Sequence, residues 1–115
     1  MISEGQIVLF RFPYTDMAEG KLRPALVLRK LPGNFDDWLI CMISSQIQHQ
    51  ALGIDERIKP DDDDFTQSGL KLESIIKVCR LAVVEGSILL GNTGQINNSR
   101  LKKIKKNLAA WIVNI

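Results

Sequence analysis

Apolar residues in this chain fall in short dense runs before residue 45 and after residue 73, and take a helical spacing only near the end. Gln6 to Phe12 reads Q-I-V-L-F-R-F, rich in β-branched and aromatic residues and closed by Pro13, which predicts a strand. Leu22 to Arg29 and Trp38 to Ser44 predict two more, and the turn signal Leu31-Pro32-Gly33-Asn34 between them predicts antiparallel pairing. After Ser44 the pattern dissolves into polar sequence that ends in Asp61-Asp62-Asp63-Asp64. This is expected to be a long connection whose acidic run is solvated and self-repelling.

Order returns near Leu70. Glu73 to Val84 carries enough β-branched residues to predict strand, either one or two short strands with a bend near Arg80. Gly86, Gly91 and Gly94 around Ile88-Leu89-Leu90 predict a turn, a short element and a second turn. Asn98 or Ser99 then caps a helix over Arg100 to Ile112. Its apolar stripe is Leu101, Ile104, Leu108 and Trp111 or Ile112, and its wet face holds Lys102, Lys103, Lys105 and Lys106. Several strands followed by one helix, with no room for crossover helices, predict a mainly β protein. The expected form is a strongly curved antiparallel sheet or small barrel, with the C-terminal helix covering an open edge or face.

Composition narrows this picture in three ways. At 115 residues and 45% hydrophobic content, one domain spanning residues 1–115 can build its own core. Fifteen basic against thirteen acidic side chains, net +2, is too balanced for bulk charge to announce a nucleic-acid binder, so any such site depends on where the charges sit. Cys41 and Cys79 both lie in apolar runs and read as small buried hydrophobes of a reducing compartment. The start lacks the order of a signal peptide, and no apolar run approaches the roughly 20 residues of a membrane span. A cytoplasmic protein with no membrane partner is expected.

Candidate chemistry centres on Gly20-Lys21-Leu22-Arg23-Pro24-Ala25-Leu26-Val27-Leu28. Pro24 has no N–H and a fixed φ, so it belongs at a strand start and presses Arg23 into an extended conformation at the strand mouth. A guanidinium held there stands beside the polar loop that contains Tyr14, Asp16 and Glu19. The acidic run lacks the ligand spacing of a calcium loop, and no metal or cofactor is inferred. His49 in a polar loop is expected to be idle. Tyr14 is a candidate for base stacking, whereas Phe12 and Trp38 are expected in the core.

Two blocks resemble one known family, the MazF/PemK toxins of bacterial type II toxin–antitoxin systems: Gly20 to Leu28, similar to a G-x-x-R-P-x-L-V-L pattern, and Ile43-Ser44-Ser45-Gln46-Ile47, similar to I-[ST]-x-Q-I. Gly5-Gln6-Ile7-Val8, Ser68-Gly69-Leu70 with Ser74, Arg80-Leu81 and Gly94-Gln95-Ile96 add weaker likenesses, so the resemblance covers nearly the whole chain. It implies an SH3-like small barrel, shared in outline with CcdB-type toxins, and a homodimer. The implied activity is metal-independent, sequence-selective cleavage of single-stranded RNA through attack of the 2′-OH on the adjacent phosphate, with a cognate antitoxin as protein partner. The family's essential arginine falls on Arg23 and its hydroxyl residue on Ser44, where many members have threonine. Tyr14, Glu19, Lys21, Ser45 and Gln46 are the expected substrate-binding residues; Glu19 sits one position from the family's usual acid. The alternative is a non-catalytic barrel that acts by protein binding, either a degenerate toxin or a CcdB-like gyrase poison.

Overall fold

β-Branched runs need partners on both sides, and here they find them in one antiparallel sheet. The computed structural model describes residues 2–11 and 22–114. Among them the strands are β1 (Gln6–Phe10), β2 (Arg23–Lys30), β3 (Asp37–Ser44), β4 (Glu56–Ile58), β5 (Ser74–Glu85) and β6 (Leu90–Gln95), with helices α1 (Phe65–Ser68) and α2 (Asn98–Val113). The order across the sheet is β4-β5-β3-β2-β1-β6, and every neighbouring pair is antiparallel. The predicted β2–β3 pairing is present, and the sheet curls into a half-barrel.

Alternation along the strands loads both faces. Ile7, Leu26, Leu28, Cys41, Ile43, Ile76 and Val78 build one core, which α2 covers with Leu101, Ile104 and Leu108. Their neighbours in sequence, Val8, Phe10, Ala25, Val27, Trp38, Ile40 and Val84, build a second on the other face. Two buried faces explain why β2 and β3 read as nearly continuous apolar runs rather than clean alternation. Trp38 is in the core, as expected, and Phe12 lies outside the described residues.

Several expectations are corrected. The connection after Ser44 contains β4 and α1, too short to leave a periodic signature. Glu73 to Val84 is one strand, and the bend near Arg80 is a bulge: Cys41 pairs with Leu81 but Met42 with Lys77, which leaves Val78 to Arg80 as extra residues. That bulge exposes Cys79, so only Cys41 is a buried thiol. Gly91 and Gly94 lie within β6 rather than ending an element. The helix cap is Asn97, whose side-chain oxygen accepts from the Arg100 N–H at 2.8 Å; it is chosen over Asn98 because the Asn97 N–H donates to Asp64 at 3.0 Å. Trp111, Ile112 and Val113 are exposed, since the sheet ends before α2 does.

The acidic run is also not solvated throughout. Asp64 is buried, and with Asp62 and Glu56 it surrounds Arg100 of α2. Arg100 donates to Asp64 through Nε at 2.9 Å and Nη2 at 3.1 Å, to Asp62 at 2.9 Å and to Glu56 at 2.9 Å. The cation these three carboxylates hold is the helix's own arginine, and the pairing fastens the segment that follows β4 to the start of α2.

Close backbone contact then closes the barrel between α1 and β6. Gly69 ends α1 in the left-handed region at φ 76°, and a Cβ there would lie 2.1 Å from the Thr93 carbonyl oxygen. A Cβ on Gly94 would lie 2.0 Å from the carbonyl oxygen of Gln67. Gly94→Ala should therefore lower unfolding stability by about 1–3 kcal/mol, since two backbones must separate. Urea denaturation measures this, and an unchanged midpoint would show that the contact opens without cost.

Candidate active site

Register brings Arg23 and Ser44 together. Across β2 and β3, Ala25 pairs with Met42 and Leu26 with Cys41, and the same register continued two residues past the end of that ladder sets Arg23 against Ser44. Side chains at directly opposed positions share a face, with Cβ atoms about 4.5–5.5 Å apart. Arg23 opens β2, as Pro24 dictates, and pairs on its other side with Phe10 of β1; Ser44 closes β3 and pairs with Ile75 of β5. Both residues are half-buried at the same end of the sheet's central strands.

A small cavity of about 180 Å³ forms between them and the segment that leads into β5. Among the described residues its polar lining is Arg23, Ser44, Ser45, Lys71 and Ser74, the remainder is apolar, and no carboxylate contributes. Small-molecule sites usually occupy about 300–1,000 Å³, so this one suits a single compact anionic group better than an organic ligand. Two cations and three hydroxyls in so small a space give a local positive potential that the balanced composition hides.

Local hydrogen bonds hold the hydroxyl side of the site. Ser44 Oγ accepts from the Gln46 N–H at 3.0 Å, a turn that fixes the oxygen and leaves its proton for donation to a ligand. Ser74 is buried, and its hydroxyl is spent on the Leu72 carbonyl at 2.8 Å. Gln46 heads the short helical turn 47–49, and its Oε1 accepts from Gln48 at 2.8 Å. It is not among the residues that line the cavity, whereas Ser45 is. His49 is exposed and offers its carbonyl to Lys77 at 2.6 Å. Tyr14, Asp16, Glu19 and Lys21 lie outside the described residues.

Lys71 is the lining residue that the sequence did not single out. Its signal is faint, a lone cation between Leu70 and Leu72 shortly before a strand, and only the fold carries it to Arg23. A larger cavity of about 780 Å³ lies at the other end of β2 and β3, floored by Val8, Trp38 and Leu89. Its charged rim is already engaged: Asp36 accepts from the Trp38 indole at 2.8 Å, and Lys30 donates to the Phe35 carbonyl at 3.0 Å. Chemistry gathers in the smaller cavity.

The family model described as PemK-like, MazF-like toxin of type II toxin–antitoxin system matches residues 3–112. The chain belongs to this toxin family. Among solved structures, an endoribonuclease in complex with its cognate antitoxin from Mycobacterial species aligns with a TM-score of 0.66 at 15% identity, over 100% of this chain and 99% of that one. The Mycobacterium tuberculosis toxin MazF-mt6 aligns with a TM-score of 0.68 at 13% identity, over 96% and 99%. At these identities the likeness establishes that this toxin shares their fold. None of the curated proteins matches it in sequence.

Proposed function

We propose that this toxin is an endoribonuclease that cuts single-stranded RNA in the cytoplasm and is restrained by a cognate antitoxin. The observation that carries this reading is that Arg23 and Ser44 line one small cavity to which the described residues contribute two cations and no carboxylate. In the reaction the ribose 2′-oxygen bonds to phosphorus and the bond from phosphorus to the 5′-oxygen breaks, which leaves a 2′,3′-cyclic phosphate and a 5′-hydroxyl end. Negative charge grows on the non-bridging oxygens. The permanently charged donor fork of Arg23 is suited to receive it, and Ser44 donates a second hydrogen bond. Among the described residues no carboxylate or imidazole lines the cavity, so proton transfer falls to a group beyond that described lining, to solvent, or to the guanidinium itself.

The same positive potential suits an acidic antitoxin segment, which would bind in competition with RNA. The family resemblance adds a homodimer to this reading. To test it, the purified toxin is incubated in EDTA with a long unstructured RNA, and cut sites and end chemistry are mapped. Cuts at a recurring short sequence with cyclic phosphate ends are expected. Ser44→Ala should slow them by about tenfold, the worth of one hydrogen bond to a charged group, and Ser44→Thr should retain most activity. Exposed Trp111, Ile112 and Val113 at the end of α2 favour a second reading, a barrel that acts by protein contact. Intact RNA with folded, antitoxin-free toxin would select it.

A further inference from the structure

Lys71 joins the cavity of Arg23 and Ser44 from a separate part of the chain, and its surroundings hold it there. It sits in the short segment between α1 and β5, which is anchored at both ends. On the α1 side, Ser68 Oγ donates to the Phe65 carbonyl at 2.5 Å and accepts from the Leu70 N–H at 3.1 Å. On the β5 side, Ser74 Oγ donates to the Leu72 carbonyl at 2.8 Å. Gly69, pressed against Thr93, fixes where the segment departs from α1. Lys71 itself is exposed, and among the described residues it makes no ion pair, whereas Lys77, Lys103 and Lys105 each hold a carboxylate. Lys71 is exposed where Arg23 and Ser44 are half-buried, so it stands at the outer edge of their cavity, and with no acid paired to it among the described residues it is placed to meet an anion beside the one those two residues hold.

We propose that Lys71 binds the RNA phosphate next to the one being cut, and so sets the register of the strand across Arg23 and Ser44. This rests on the ribonuclease reading above. Arg23 and Ser44 act on the reacting phosphate, where charge changes during the reaction; Lys71 meets a neighbouring phosphate whose charge stays constant. A point-charge ammonium on a flexible stem fits that task, since binding there is equal in ground and transition states. Lys71 is thus a positioning residue, and its loss should raise KM and leave kcat nearly intact.

The test compares wild type, Lys71→Ala, Lys71→Arg and Arg23→Ala, all in EDTA. Cleavage kinetics are measured on the RNA that the wild type cuts. Binding is measured on the same RNA with 2′-deoxyribose at the cut position, over a range of salt concentrations. Lys71→Ala should raise KM about tenfold with kcat within about twofold, and the slope of log affinity against log salt should fall by about 0.7, one single-strand phosphate contact. Lys71→Arg should restore both. An unchanged salt slope in Lys71→Ala overturns the proposal, as does a kcat loss that Lys71→Arg fails to rescue. Wild type that cuts while Arg23→Ala does not, with Lys71→Ala indistinguishable from wild type, would sink the Lys71 role alone. Wild type that cuts no RNA would sink the ribonuclease reading and this proposal with it.

Discussion

Arg23→Ala should lower the rate of RNA cleavage by about a hundred- to a thousand-fold while leaving the fold in place. The loss follows from the charge that builds on the phosphoryl oxygens as the 2′-oxygen attacks; removing one preorganised donor from such a site typically costs about 2.7–4 kcal/mol of transition-state stabilisation. Arg23 adds a full positive charge to that donation, in a cavity whose one other cation among the described residues is Lys71. Arg23→Lys should recover only part of the rate, because an ammonium keeps the charge and loses the planar fork. Stability should change by about 1 kcal/mol or less, since Arg23 is half-buried at the first position of β2 and the β1–β2–β3 ladder runs on without it. Single-turnover cleavage and urea denaturation on the same preparations separate the two effects. A mutant that cuts within threefold of wild type would remove Arg23 from the mechanism.

The second large effect is on stability. Arg100→Ala should cost about 3–5 kcal/mol, because it strands carboxylates that the fold has taken out of water. The Asp64 side chain is 1% exposed, and those of Arg100 and Glu56 are 11% exposed. Burial pushes the Asp64 carboxyl up, but the hydrogen bond and charge of Arg100, with the Asn97 N–H, outweigh it and hold the group below its usual range. Asp62 is held low first by the Lys59 N–H and then by Arg100. A depressed folded pKa means that the unfolded chain binds protons first. The stabilisation is therefore complete above the unfolded carboxylate value of about 4 and is lost progressively below it, as pH falls through the depressed folded values.

With Arg100 gone, the sign at Asp64 inverts. Burial with no cation raises its folded pKa, so acid should stabilise Arg100→Ala over the range where it destabilises wild type. Denaturation curves from neutral pH to about pH 3 read both slopes. Arg100→Met combined with Asp64→Asn should recover much of the loss, which distinguishes a stranded charge from lost packing. A cost under about 1 kcal/mol for Arg100→Ala would mean that the cluster is solvated after all.

Strands β1, β2, β3 and β5, helix α2 and Arg23 as a residue of interest are legible in the chain itself. Their signals are local: β-branched density, a proline at a strand mouth, apolar spacing of three and four after a run of cap-forming residues. These features act within a few residues, through sterics and side-chain period, and need no knowledge of the rest of the fold. The family motifs lie on the same segments and add Ser44, the expected activity and its partners without adding geometry.

The rest depends on what meets what across long separations. β4 is three residues long and α1 four, and each is held by a contact rather than a propensity: β4 by its pairing with β5, α1 by its seat on β6. Four consecutive aspartates read as a solvated run because the arginine that pairs with Asp62 and Asp64 is distant in sequence: Arg100 reaches Asp64 from 36 residues away. Whether Trp111 is covered depends on where the sheet ends, and whether Cys79 is covered depends on a bulge in β5. Lys71 becomes a neighbour of Arg23 only because the sheet curls. Residue type and period determined which segments form elements and that Arg23 stands at a strand mouth, and the family motif added Ser44; curling of the sheet decided which distant charges meet, because pairing register and burial are properties of the assembled fold.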